Sequence, residues 1–256
     1  MSERARDGGA ADGGGDQATI ERIWGGRIAG LEGGYSEAYN AERRVDERLV
    51  ARALELAGRP GLALDVGSFY PETPKRLAAR GWPVVCADLS EEVCRKVRAV
   101  AAAERLRLLV VRCDATALPF RAGAFDLVTD FVTSVVTRDA RAVVAEEARV
   151  LKPGAVYVLV TNNRWTRSSR HNLRRQRRAG GHHPRWGYFS PLSPAGLWRI
   201  ARTHGLRLVR IDSEVHSLGV VGVGLSVLGA LFPAVRRMAG WRVGGVYVKR
   251  PAQESR

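Results

Sequence analysis

Three aspartates close short apolar runs of the sequence and could bind the hydroxyl groups of a ligand. Asp65 follows GLAL, Asp88 follows WPVVCA and Asp114 follows LRLLVVRC. A carboxylate can accept hydrogen bonds from both vicinal hydroxyls of a ribose, and Asp88 lies 23 positions after Asp65, near the spacing of one strand, helix and strand unit. This spacing favours a nucleoside site. Each acid also has a simpler interpretation. Asp88 could be a solvent-facing acid at the start of a helix, where Ser90 is an equally good cap, and Asp114 could be an ordinary loop acid.

These acids need a framework, and strand-like runs alternate with helical patterns along the chain. Strands are predicted over GLALDVG, WPVVCADLS, LRLLVVRCD, AFDLVTDFV, AVYVLVTNN, LRLVRIDSEV and WRVGGVYVKR. Helices are predicted over 18–58, 74–80, 91–104, 137–151 and 193–205. Thr73 is expected to cap the second helix, with Pro74 in its first turn. The alternation predicts an α/β fold with a mostly parallel, doubly wound sheet and helices on both faces, which binds ligands beyond the carboxyl ends of its strands.

The other segments set the domain organisation. Residues 1–17 consist largely of glycine and charged residues and are expected to form a disordered leader. Residues 18–250 are expected to form one domain with a cap or insertion at about 164–190, where the alternation breaks, and 251–256 form a tail. Residues 217–235 carry no charge, near the lower length limit for a membrane span. Their repeated glycines favour a buried or interfacial helix, which leaves peripheral membrane contact open.

The charge and cysteine content limit the classes of partner. The chain has 41 basic and 26 acidic residues among its 256, a formal charge of +15. Nucleic acid, anionic lipid and phosphorylated substrates are therefore possible partners. Only four of the basic residues are lysines, so a coding bias towards arginine explains much of the charge without a polyanionic partner. Three cysteines without paired spacing argue against disulfides and against a structural zinc site, and they fit a reducing cytoplasm.

Four segments, in this order, resemble the class I methyltransferases that use S-adenosylmethionine, and the resemblance covers roughly residues 40–250. LALDVGS resembles the first motif of that family, and VVCADLSEEV resembles the second. RCDATALPFRAGAFDLV resembles the third and fourth together, and EEARVLKPGAVYVLV is similar to the segment that enters the fifth strand. The resemblance implies a seven-stranded sheet whose last strand is antiparallel, with S-adenosylmethionine as the cofactor.

The resemblance also implies a role for individual residues. Asp65 and the turn after it would hold the methionine part of the cofactor, Asp88 would take the two ribose hydroxyls, and Asp114 would lie at the adenine ring. The complete set of cofactor-binding residues expected in this way is Asp65, Gly67, Ser68, Phe69, Asp88, Leu89, Asp114, Ala115 and Asp130.

The first motif departs from the family, because Phe69 and Pro71 occupy its second and third glycine positions. Glycine there lets the backbone approach the cofactor closely. Pro71 removes one backbone donor, so the carboxylate of the cofactor needs another partner, such as Thr73 or the helix N-terminus. Phe69 could lie against the cofactor or close the pocket. The departure leaves open a protein that keeps the fold and has lost transfer activity.

Four side chains are candidates for proton removal from a methyl acceptor. They are Asp130, near the end of the fourth strand, and His182, His183 and Tyr188 in the cap. As alternatives, the histidine pair is a solvated turn, and Asp130 contacts the amino group of the cofactor. Adjacent histidines lack the helical spacing of a metal site, so we expect no metal.

Eight arginines lie between Arg164 and Arg185, interleaved with aromatic residues. They could grip a phosphate, a carboxylated substrate or a membrane surface, or they could form a solvated cap. The sequence thus predicts a cytoplasmic enzyme that methylates a small molecule. Membrane association and a hydrophobic or aromatic acceptor stay open. The alternatives are a catalytically degenerate binding protein of the same fold and an RNA methyltransferase. Nucleic acid is the less favoured partner because no recognisable RNA-binding module accompanies the arginines.

Overall fold

The computed structural model describes residues 22–23, 44–69, 71–214 and 241–251. The predictions for the leader, for residues 18–21 and 24–43 of the first predicted helix, for residues 217–235 and for most of the tail lie outside these described residues. The strands are β1 Ala63–Val66, β2 Val84–Asp88, β3 Leu108–Arg112, β4 Phe125–Phe131, β5 Leu151–Asn162, β6 Leu206–Glu214 and β7 Arg242–Lys249. The helices are α1 Arg44–Ala57, α2 Glu72–Ala78, α3 Glu91–Ala103, α4 Ala140–Val150, α5 Arg167–Arg178 and α6 Pro194–Thr203.

The strands form one seven-stranded sheet in the order β3-β2-β1-β4-β5-β7-β6. β7 is antiparallel to both of its neighbours, and the pairs from β3 across to β5 are parallel. The predicted fold class is therefore confirmed. The chain builds outward from β1 to β3 on one side and from β4 onward on the other, so the strand order reverses between β1 and β4. Such a reversal opens a crevice at the carboxyl ends of the two strands.

The sequence of β5 is an almost continuous apolar run because both faces of this strand are buried. Tyr157 and Leu159 belong to the core on one face of the sheet, which α4 and α6 cover. Val156 and Val158 belong to the core on the other face, which α1, α2 and α3 cover. Because both faces of the parallel region are covered, neither set of alternate positions is left for polar residues.

Helix α2 differs from its prediction, because it begins at Glu72 and not at Pro74. Pro71 is the N-cap residue and makes no side-chain capping hydrogen bond, and the predicted cap, Thr73, is buried within the first turn. Pro74 is tolerated there because the first four N–H groups of a helix have no partner within the helix. The expectation that Thr73 caps this helix is wrong.

Helix α5 lies in the predicted cap, where no helix was expected. Thr166 caps it, with its Oγ1 accepting a hydrogen bond from the Ser169 amide at 3.2 Å. The cap then returns to the sheet, since the Ser190 amide donates to the Val135 carbonyl at 2.6 Å. The cap is therefore attached to the loop that follows β4. Among the residues that the structure describes, no helix has both the length and the apolar character that crossing a membrane requires.

Candidate functional site

The loops after β1, β2 and β3 adjoin at the carboxyl edge of the sheet. The Gly67 amide donates to the Ala87 carbonyl at 2.7 Å, and the Cys113 amide donates to the Asp88 carbonyl at 2.9 Å. These bonds continue the strand pairing beyond Val66 and Arg112. The turn at Gly67, the end of β2 and the loop that begins at Asp114 therefore form one continuous edge, as the spacing of the aspartates predicts.

Few groups of the protein balance the negative charge of the Asp88 carboxylate. Its Oδ1 accepts one hydrogen bond from the Ser90 amide at 2.9 Å, and no basic side chain of the described residues forms an ion pair with it. Burial raises the pKa of Asp88 to about 7. Ser90 caps α3 through its hydroxyl, so the side chain of Asp88 is not needed as the cap. A ligand that donates hydrogen bonds, such as a pair of hydroxyls, would stabilise its ionised form.

Asp65 points into the protein. One carboxylate oxygen accepts a hydrogen bond from the Thr129 hydroxyl at 2.6 Å, and the other accepts from the Ser68 hydroxyl at 2.7 Å. The residue is only 4% exposed. It thus joins β1 to β4 and fixes the turn at Ser68. The geometry favours this positioning role over the direct cofactor contact expected for Asp65 and Ser68 from the sequence.

Gly67 keeps the backbone conformation that the first motif needs. Its φ of +73° lies in the left-handed region, which favours glycine. A Cβ at this position would lie 1.9 Å from Oγ1 of Thr133, and that hydroxyl donates to the Val66 carbonyl at 2.8 Å. Thr133 therefore packs against the turn after β1 at the point where the strand order reverses. Sequence reasoning missed Thr133, because a threonine in a loop gives no distinctive signal.

Val132 has a φ of +76° in the same crevice. A β-branched residue rarely adopts this conformation, which costs on the order of 1–3 kcal/mol and is typical of ligand sites. Phe69, at the second glycine position, is partly buried and packs against the core beneath α1, as do Phe131 and Val132. The first loop is thus anchored by an aromatic side chain in place of close glycine packing.

The adenine-side residues lie at the ends of β2 and β3. Asp114 Oδ1 accepts hydrogen bonds from both the amide and the hydroxyl of Thr116, each at 2.8 Å. This turn orders the loop and uses one of the two carboxylate oxygens. Ala115 is partly buried against the core, and Leu89 is partly exposed beside Asp88. Nothing in these contacts conflicts with the predicted adenine position.

Asp130 lies at the carboxyl end of β4 and is fully buried. Its carboxylate accepts hydrogen bonds from the amides of Thr133 at 2.7 Å and Ser134 at 3.1 Å. Burial raises its pKa to about 6. Asp130 therefore shapes the loop that holds Thr133. This position disfavours the predicted roles of Asp130 in proton removal from an acceptor and in direct cofactor contact.

A further buried acid, which sequence reasoning missed, lies on α4. Glu147 accepts a hydrogen bond from the Tyr157 hydroxyl at 2.5 Å. Burial, reinforced by the nearby charge of Asp130, raises the pKa of Glu147 well above its usual value. In the sequence, Glu147 looks like one of two ordinary helical acids in the pair EE, so only the packing of α4 on the sheet distinguishes it.

The cap brings two of the predicted proton-removing residues together. His182 Nε2 and the Tyr188 hydroxyl lie 3.0 Å apart, so they can share a proton. His183 is 1% exposed, and its ring stacks on Trp186 with 4.4 Å between the ring centroids. This burial disfavours His183 as a base for an external substrate, and it also shows that His183 is not in a solvated turn.

Comparison with known proteins agrees with this architecture. Residues 64–159 match the family model described as a methyltransferase domain. The chain is 33% identical over 123 residues to demethylmenaquinone methyltransferase of Thermus thermophilus. That match covers 48% of this chain and 56% of the relative, so the chain spans little more than half of the relative's length.

Solved structures of low sequence identity share the fold. A putative sarcosine dimethylglycine methyltransferase from Galdieria sulphuraria has a TM-score of 0.63 at 19% identity, with 92% of this chain and 98% of that chain covered. Geranyl diphosphate C-methyltransferase from Streptomyces coelicolor, solved with geranyl diphosphate, Mg²⁺ and S-adenosyl-L-homocysteine, has a TM-score of 0.64 at 16% identity, with 93% and 100% covered. The match over residues 64–159 and the shared seven-stranded fold together support a class I methyltransferase that uses S-adenosylmethionine.

Proposed function

We propose that this protein transfers a methyl group from S-adenosylmethionine to a small-molecule acceptor. The observation that carries the proposal is the Asp88 carboxylate, which lies beside the Gly67 turn in a matched methyltransferase domain and lacks a cation partner among the described residues. Such a carboxylate suits a ligand that brings two hydroxyl donors.

The residues at the edge of the sheet fit the cofactor. Asp88 would accept the ribose hydroxyls, the Gly67 turn would let the backbone approach, and the loop at Asp114 and Ala115 would lie at the adenine ring. When bound, the cofactor supplies a methyl group on a sulfonium, which is transferred by in-line displacement. The tasks left to the protein are to align the acceptor and to exclude water.

The cap is the element placed to perform those tasks. It follows the carboxyl end of β5 and is attached to the loop after β4 through Ser190, whose hydroxyl donates to the Thr137 carbonyl at 3.2 Å. The acceptor would lie under this segment, and His182 with Tyr188 would take its proton if the acceptor atom carries one. The relatives named for demethylmenaquinone and geranyl diphosphate support an acceptor that is a small molecule with an apolar part.

Calorimetry with S-adenosylhomocysteine tests the cofactor site. Replacing Asp88→Ala should weaken binding by about 1–3 kcal/mol through the lost hydroxyl contacts and should leave the fold intact. The matched control is Glu104→Ala, which removes an acid that caps the opposite end of α3 and should leave binding unchanged. Equal affinities for the Asp88→Ala variant and the wild type would contradict the proposed site.

Phe69 and Pro71 favour one rival, a protein of the same fold that binds the cofactor without transferring its methyl group. Incubation with methyl-labelled cofactor and a protein-free small-molecule extract of the source cells distinguishes the two. Label that moves into an extracted compound supports the enzyme. Tight cofactor binding without any transfer supports the rival.

A further inference from the structure

The second half of the domain carries a long stretch without acidic residues. Between Glu147 and Asp212 the chain has no aspartate or glutamate, and it has 14 lysines and arginines. Six of these are arginines of the twelve-residue helix α5. Coding bias explains why the basic residues are arginines, but it does not explain the absence of acids that could pair with them.

Helix α5 turns a polar side towards the protein and arginines towards the solvent. Ser169 is buried, Asn172 and Gln176 are partly buried, and the six arginines are exposed. None of these arginines forms an ion pair with another of the described residues. Arginines spaced four residues apart, as in Arg170 and Arg174, repel each other by about 0.2–0.5 kcal/mol per pair. An anion beside the helix would relieve this repulsion.

A cleft beside this helix has the composition of an anion site. It has a volume of about 430 Å³ and is lined by Arg164, Trp165, Arg170, Leu173, Arg174 and Arg177. Its volume falls within the range of small-molecule pockets. The Trp165 side chain, 57% exposed, is one of the few large apolar groups that the described surface shows to solvent. The cleft therefore combines several guanidinium groups with two apolar side chains.

This composition selects the chemistry of the ligand. Guanidinium groups bind phosphate oxygens bidentately, and several of them around one cleft suit a group with more than one negative charge, such as a phosphomonoester or a diphosphate. Trp165 and Leu173 suit an apolar chain attached to that group. Leu173 is the only large apolar residue of α5, so the helix lacks the apolar face with which helices insert into a membrane.

We propose that the α5 cleft binds the phosphate or diphosphate group of an amphiphilic small molecule. Binding in this cleft can be measured independently of the proposed methyl transfer. Arg170, Arg174 and Arg177 hold the anionic group, and Trp165 contacts the adjoining apolar chain.

Calorimetry with geranyl diphosphate, inorganic diphosphate and geraniol tests the proposal on the full chain. Geranyl diphosphate should bind saturably, inorganic diphosphate more weakly, and geraniol least. The double variant Arg170→Gln/Arg174→Gln should weaken geranyl diphosphate roughly 10- to 100-fold, because two charge-assisted contacts are lost. Arg175→Gln/Arg178→Gln is the matched control, since it removes the same charge from the same helix outside the cleft, and it should weaken binding less than threefold or so.

Two outcomes would overturn the proposal. The first is no saturable binding of geranyl diphosphate. The second is that both double variants lose the same affinity for geranyl diphosphate, and that both also lose the same affinity for single-stranded RNA or phosphatidylglycerol vesicles. In that case α5 is a general surface for polyanions. Binding of S-adenosylhomocysteine, measured on the same samples, separates the two proposals. If it is retained while the diphosphate site fails, only the cleft proposal falls, and if it is absent while the diphosphate binds, the proposed function falls.

Discussion

At the scale of single residues, Asp88 connects the sequence to the chemistry most directly. Its burial raises its pKa to about 7, since the ionised carboxylate loses hydration and the backbone donors of Ser90 and Leu89 compensate for this only in part. Hydroxyl donors of a bound nucleoside favour the ionised form. Ligand binding and deprotonation of Asp88 are therefore coupled.

This coupling predicts that cofactor affinity rises with pH. Between pH 6 and pH 8 the free protein passes from protonated to ionised Asp88, so S-adenosylhomocysteine should bind about tenfold more tightly at pH 8 than at pH 6. Calorimetry at both pH values, in buffers of different ionisation enthalpy, should also detect proton release at pH 6. In the Asp88→Asn variant this pH dependence should disappear, which separates it from titration of the ligand itself. An affinity that is flat between pH 6 and pH 8 in the wild type would rule out the coupling.

Asp65 shows what sequence reasoning could not supply at this scale. Its position at the end of β1 predicts the right edge of the sheet. The direction of its carboxylate depends on the hydroxyls of Thr129 and Ser68, and one of these lies on another strand. A sequence does not reveal which side-chain partners a fold brings to one carboxylate, so the positioning role becomes visible only in the structure.

At the scale of elements, the turn after β1 depends on Gly67 for two separate reasons. The backbone has a positive φ, and the space that a side chain would need is occupied by Thr133. Gly154 separates the two effects, because its φ is +79° and nothing lies within 4 Å of a Cβ built there.

We therefore expect Gly67→Ala to be more destabilising than Gly154→Ala. The second change costs only the unfavourable φ, about 1 kcal/mol, whereas the first adds the displacement of Thr133 and should cost about 2–4 kcal/mol in all. Urea denaturation of both variants measures the difference. Similar losses of unfolding free energy would mean that Thr133 can move aside without cost. The contact between the turn and the loop after β4 would then contribute little to stability.

The elements also show where the sequence was informative. The strands were predictable because apolar runs are long and bounded by turns, and α3 was predictable because Ser90 caps an amphipathic pattern. Helix α5 was not, since its arginines give no apolar periodicity. The start of α2 was misplaced because proline is equally acceptable at several positions of a first turn.

At the scale of the whole molecule, buried acids concentrate at the carboxyl ends of the central strands and behind them. Burial raises the pKa of Asp88 to about 7 and of Asp130 to about 6, and it raises that of Glu147 as well. The pKa of Glu146, the neighbour of Glu147 on α4, is lowered by a hydrogen bond from Arg149. Between about pH 4 and pH 7 these three carboxyl groups therefore bind more protons in the folded protein than in the unfolded chain, whose aspartates titrate near pH 4.

Stability should consequently fall as the pH rises through this window. Because the folded state binds the extra protons, the free energy of unfolding should be larger at pH 5 than at pH 8, by about 2–4 kcal/mol. Repulsion among the many basic residues strengthens as histidines become protonated, and it acts in the opposite direction.

The Asp130→Asn variant isolates one carboxylate from that general effect, and its pH dependence should be about 1 kcal/mol smaller than that of the wild type. Denaturation at pH 5 and pH 8 measures both quantities, with Glu104→Gln as the exposed control. A variant with the same pH dependence as the wild type would show that Asp130 remains ionised in the folded protein, in which case the hydrogen bonds from Thr133 and Ser134 outweigh its burial.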